Sequence, residues 1–151
     1  MALAQLQLLA KVQREKEDKL QALYIQAQQF ANNQQDKYDG LANYRTDYIR
    51  QSQQRGMQGV QSRQFNQYLA FITKLDQALE QQNMQVQQAK KVAETRRVNW
   101  ILLQRKRKAI DLLIDKELEK MAIKAQKQEQ KMLDEIATQQ FFRNLHAEAG
   151  S

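Results

Sequence analysis

Apolar residues recur at steps of three and four through the first third of the chain. Leu20, Leu23, Ala27 and Phe30 carry the repeat, with Leu6, Leu9 and Val12 before them and Leu41, Tyr44 and Tyr48 after. That spacing places one side chain per turn on a single helical face. It predicts a first helix over about residues 3–51. From Gln51 to Arg63 the pattern lapses: two glycines and two serines appear, with only Met57 and Val60 apolar. Gly tolerates the left-handed conformation that ends a helix, and the Ser62 hydroxyl can cap the next one. This is the expected turn, over about 52–62.

Beyond it the alternation of three and four is sustained for seven heptads. It runs through Phe65, Tyr68, Ile72, Leu75, Leu79, Gln82, Val86, Ala89, Ala93, Arg96, Trp100, Leu103, Arg107, Ile110 and Ile114. Such a repeat reads as a coiled-coil seam. The four-plus-four step from Ile110 through Ile114 to Leu118 reads as a stutter that relaxes the supercoil. A second helix is expected over about 63–142, with a flexible tail at 143–151. A short turn makes the helices antiparallel, so residues whose numbers sum to about 115 should face each other. Tyr48 then meets Tyr68, Leu6 meets Ile110, and Ala27 meets Ala89 at a thin waist. The second helix should overhang the first by about thirty residues, and its unpaired apolar stripe should bind something. The fold class is therefore all-α: one antiparallel coiled-coil hairpin over 1–151, its second helix the longer.

Composition supports this reading. Pro is absent, Gly occurs four times, and Gln, the commonest residue, fills 28 of 151 positions. Gln, Ala, Leu, Lys, Arg and Glu lose little rotamer freedom on a helix. No β-branched runs bounded by turn residues suggest strands. The first ten residues are too interrupted by Gln for a signal peptide, and no apolar run approaches the ~20 residues that span a bilayer. A cytoplasmic location is expected.

Charge is unevenly placed. Residues 90–131 hold thirteen Lys or Arg against six Asp or Glu, so this stretch carries the whole formal charge of +7. Its densest part is Arg105, Lys106, Arg107 and Lys108, with Arg96 and Arg97 upstream. A solvated face and a docking site for an acidic protein surface are the two leading readings; nucleic acid or an anionic membrane is the alternative. Against nucleic acid, no exposed aromatics interleave with the cluster, since Trp100 falls on the seam.

Catalytic chemistry has little to stand on. Without Cys there is no disulfide or thiolate site, and the single His146 sits in the tail. No Gly-rich phosphate loop occurs, and the carboxylates lie on solvated faces. The expectation is a non-enzymatic binding protein with no cofactor and no metal. Near the turn, by contrast, the apolar content exceeds what one seam can bury: Tyr38, Leu41, Tyr44 and Tyr48 on one side, Tyr68, Phe71, Ile72, Leu75, Ala78 and Leu79 on the other. Surplus exposed aromatics mark an interaction surface.

Those residues also carry a resemblance. The run Leu41-Ala-Asn-Tyr44-Arg-Thr-Asp-Tyr48, the Gly-containing turn, and Phe65-Asn-Gln-Tyr68-Leu-Ala-Phe71-Ile-Thr-Lys-Leu75-Asp-Gln-Ala78-Leu resemble the FliJ proteins of the flagellar type III export apparatus, as do Asn99-Trp100 and the basic cluster. The resemblance implies a coiled coil like the rotary ATPase γ subunit, placed in the pore of the hexameric flagellar export ATPase, whose ring it helps assemble. It also implies binding to the cytoplasmic domain of the export-gate membrane protein, handling of emptied export chaperones, and peripheral association with the inner membrane at the flagellar base. The implied gate-binding stripes fall on Lys37, Leu41, Tyr44 and Tyr48, and on Phe71, Leu75, Ala78 and Gln82. Lys37 stands where the family usually has Gln, and Gln82 where His can occur. The ATPase-ring contacts would fall on Arg96, Arg97, Arg105, Lys106, Arg107 and Lys108.

Overall fold

A computed structural model describes residues 2–56 and 62–150. Two helices fill them: α1 (Leu3–Gln54) and α2 (Ser62–Ala149), packed against each other as an antiparallel hairpin with α2 the longer. Among the described residues there is no strand, and no helix is long and apolar enough to cross a membrane. α1 begins with the Gln5 and Leu6 amides bonded to the Ala2 carbonyl. Just past its end, Gly56 has the left-handed φ of 73° that follows a helix, and its amide bonds back to the Gln53 carbonyl at 3.2 Å. The rest of the expected turn, with Met57, Gly59 and Val60, lies outside the described residues. Ser62 is already the first helical residue of α2. α2 continues through residues 143–149, where a tail was expected, because no Gly or Pro interrupts it before Gly150.

The chain divides into two compact units: Glu15–Gln104, and Met1–Arg14 with Arg105–Ser151. In the first, the α1 seam is Glu17, Leu20, Tyr24, Ala27, Ala31, Gln34, Tyr38, Leu41, Arg45 and Tyr48, none of them exposed. This corrects the register read from the sequence. Leu23 and Phe30 lie outside the seam, Phe30 55% exposed, while Ala, Gln and Glu residues take the inward places. The reason is steric: the partner helix selects positions by their heptad spacing, and a small or polar side chain at the right spacing displaces a larger apolar one at the wrong spacing. On α2 the seam follows the expected Tyr68, Ile72, Leu75, Leu79, Gln82, Val86, Ala89 and Ala93, but Phe65 and Arg96 are exposed and Arg97 turns inward instead. Ala89, Ala93 and Arg97 thus make a four-plus-four step inside the seam, whereas Leu118, the end of the expected stutter, is exposed.

The core of this unit is a waist of small residues. Ala31, Ala89 and Ala93 are buried around Val86, which is 1% exposed. One turn toward Gly56, the Gln82 side-chain amide donates to both the backbone carbonyl and the Oε1 of Gln34, each at 2.9 Å. A satisfied polar pair in an apolar seam fixes register, because any slip strands both amides. Gln82→Ala should therefore cost about 1–3 kcal/mol by leaving Gln34 unsatisfied, whereas replacing both by Leu should be near neutral or stabilising. Urea denaturation of the two variants checks this pair of outcomes.

In the other unit, Leu6 and Ala10 are buried, and Leu6 shares a hollow with Leu113 and Glu117. Asp111 ties the helices together: its Oδ1 lies 3.2 Å from Arg14 Nη2 and its Oδ2 2.8 Å from Arg107 Nη1. Every described residue from Leu118 onward is exposed.

Candidate protein-interaction sites

The residues nearest Gly56 in the first unit build a connected set of rings. Tyr48 stacks on Tyr68 across the helices, centroids 5.7 Å apart and 14° from parallel, as the sum rule requires. Phe71 lies 4.6 Å from Tyr48 and 6.4 Å from Tyr44, meeting the latter edge to face. Phe65 extends the set at 6.4 Å from Tyr68. Offset and edge-on arrangements of this kind align ring quadrupoles favourably. Arg45 Nε, 2.6 Å from Asp76 Oδ1, braces the same end.

The two stripes named from the sequence therefore converge in part. Tyr44, Tyr48 and Phe71 form one patch, with Tyr44 52% exposed at its centre and Leu41 and Ala78 half-buried at its edge. Leu75 and Gln82 belong to the seam: Leu75 is buried, and Gln82 is committed to Gln34. Lys37 is exposed. Sequence reasoning missed Phe65 as a member of the ring cluster, because it was assigned to the seam. It also missed the stack of Tyr24 on Trp100, centroids 5.7 Å apart, since Tyr24 was left out of the apolar register.

The cationic residues separate by role. In the first unit Arg96 is exposed, and Arg97 donates two hydrogen bonds to Glu94, at 2.9 and 2.8 Å. Those bonds hold the Glu94 carboxyl below its ordinary range and raise the Arg97 guanidinium further. In the other unit Arg105, Lys106 and Lys108 are exposed, while Arg107 is half-buried against Asp111. Arg107 thus serves the fold, and the three flanking cations present charge to solvent.

The Glu15–Gln104 unit is thus a pair of antiparallel helices with a cluster of rings beside Gly56, and the exposed cations lie on α2. The model of the family described as flagellar FliJ protein matches residues 1–146, and the chain belongs to that family. Membership gives it a role related to flagellar type III export. No curated protein and no solved structure matches the chain.

Proposed function

We propose that this chain is the non-catalytic central stalk of the flagellar export apparatus, coupling the hexameric export ATPase to the export gate. The observation that carries the reading is the convergence of Tyr44, Tyr48 and Phe71 into one partly exposed patch on a member of the FliJ family. Aromatic side chains that offer large area at little entropic cost are the usual anchors of a protein interface. In this reading Leu41, Tyr44, Tyr48, Phe71 and Ala78 contact the cytoplasmic domain of the gate protein, with Leu75 and Gln82 holding the patch in shape from beneath. The unit containing both ends of the chain sits in the ATPase ring, where it promotes assembly. Arg105, Lys106 and Lys108 face acidic subunit surfaces there; in the other unit Arg96 is free to add a contact, while Arg97 is taken up by Glu94. An asymmetric helical pair inside a ring biases which subunits close, and α2, unbroken from Ser62 to Ala149, carries that bias onward. Handling of emptied export chaperones and peripheral membrane association belong to the same reading.

Replacing Arg105, Lys106 and Lys108 by Gln, and leaving Arg107 in place, removes three exposed charges at no cost to helix propensity. Binding to the purified ATPase should weaken about tenfold, mostly through slower association and with a shallower dependence on salt. Circular dichroism should be unchanged. Retained ATPase affinity, with loss of affinity for DNA or for anionic vesicles in parallel titrations, would sink the stalk assignment and favour the alternative reading.

A further inference from the structure

One flank of the Glu15–Gln104 unit differs sharply from the other. With the seam positions written a and d, the g positions of two antiparallel helices lie side by side on one flank and the e positions on the opposite one. On α1 the g positions include Leu23, Phe30 and Tyr44; on α2 they include Phe71, Ala78 and Val92. Tyr44 and Phe71 touch across the groove, and Phe30, Leu23 and Val92 are exposed along it. The e positions are polar over Gln21, Gln28 and Gln35 against Asp76, Asn83 and Lys90, and turn apolar only nearest Gly56, at Ala42, Ile49 and Leu69.

Charge is segregated in the same way. The g positions and the c positions that border them carry Lys16, Lys19, Lys37 and Lys74, all exposed, against one carboxylate, Asp47, which is already paired with Arg50. Asp18, Asp39, Asp76, Glu80 and Glu94 all fall on the e and b side. A solvated coiled-coil surface mixes the two signs to gain pairs three and four residues apart, and none of these four lysines has a carboxylate at that distance among the g and c positions.

Gly40 adds an independent observation. It sits inside α1 at a c position, three residues after Lys37 and four before Tyr44, with nothing within 4 Å of where a Cβ would stand. Gly is less favourable than Ala in a helix interior, and neither the backbone nor the packing of this chain calls for it there. A missing side chain beside an apolar groove leaves room for another backbone to come close.

We propose that this flank docks a third helix, amphipathic and acidic, its apolar edge on Leu23, Phe30, Val92 and Tyr44 and its carboxylates between the four lysines. The face shares Tyr44 and Phe71 with the gate-binding reading but does not rest on it, since Phe30 and Gly40 have no part there. The probe is a synthetic three-heptad helical peptide with Leu at a and d and Glu at e and g, titrated by fluorescence anisotropy into the full chain beside a twin bearing Lys for Glu. The acidic peptide should bind at least ~10-fold tighter than its twin, and Phe30→Gln and Gly40→Leu should each weaken it by ~10-fold or more. Circular dichroism of both variants should show undiminished helix, and Gln28→Ala on the opposite flank should bind like the parent chain. Equal affinity for the two peptides would overturn the proposal, as would binding indifferent to Phe30 and Gly40. Self-association of the chain abolished by Phe30→Gln would assign the face to a second copy and overturn it as well.

Discussion

Val86→Asp should be the most damaging single change in the Glu15–Gln104 unit, costing at least ~3 kcal/mol. Val86 is the most deeply buried side chain described, the waist alanines have no polar side-chain group, and the Gln34 and Gln82 amides one turn away are already committed to each other. A carboxylate there loses its hydration and gains no partner, so it must either take up a proton or separate the helices. The waist cannot adapt by rotamer change, since Ala31, Ala89 and Ala93 have none. Val92→Asp makes the matching control. The same chemical change at an exposed flank position should fall within about 0.5 kcal/mol. Urea denaturation followed by circular dichroism measures both. Similar losses for the two would mean that the waist is not the packed centre of this unit.

Tyr44→Ala should leave stability nearly unaltered and weaken binding to the gate protein's cytoplasmic domain by about thirtyfold, the loss expected of an aromatic anchor worth ~2 kcal/mol. Its ring is half in solvent and touches Phe71 and Tyr48 at centroid distances of 6.4 and 6.5 Å. Leu75→Ala, four residues beyond Phe71 and buried in the seam, should do the reverse. It should cost ~2–4 kcal/mol of stability as a large-to-small core change. Its effect on binding should follow only from disorder of the patch above it. Calorimetry of gate-domain binding beside thermal unfolding separates the two. If Tyr44→Ala binds as well as the parent chain, the patch is not the gate surface.

The contrast between Tyr44 and Leu75 shows where sequence reasoning succeeds and where it stops. Both lie at helical spacing within an apolar stretch, and the family resemblance placed both in one class of binding residue. Burial divides them, and burial depends on how α2 is rotated about its own axis against α1. On α2 the seam was legible because Ile72, Leu75, Leu79 and Val86 mark it at unbroken three-four spacing, so spacing and chemistry agreed over that stretch. On α1 they disagreed. Phe30 and Leu23 are the larger apolar residues, yet Ala31, Gln34 and Glu17 hold the inward positions.

The sequence alone determined the two helices, the place of the break between them and their antiparallel pairing. Helix propensity, a cluster of Gly and Ser, and a short connection are local properties that need no partner to act. It determined the distribution of charge for the same reason. Tertiary packing decided which residues those helices hide. A seam is chosen by the facing helix, through the fit of small side chains at the waist and the hydrogen bonds of Gln34 with Gln82. Neither residue could disclose its partner, 48 positions away along the chain.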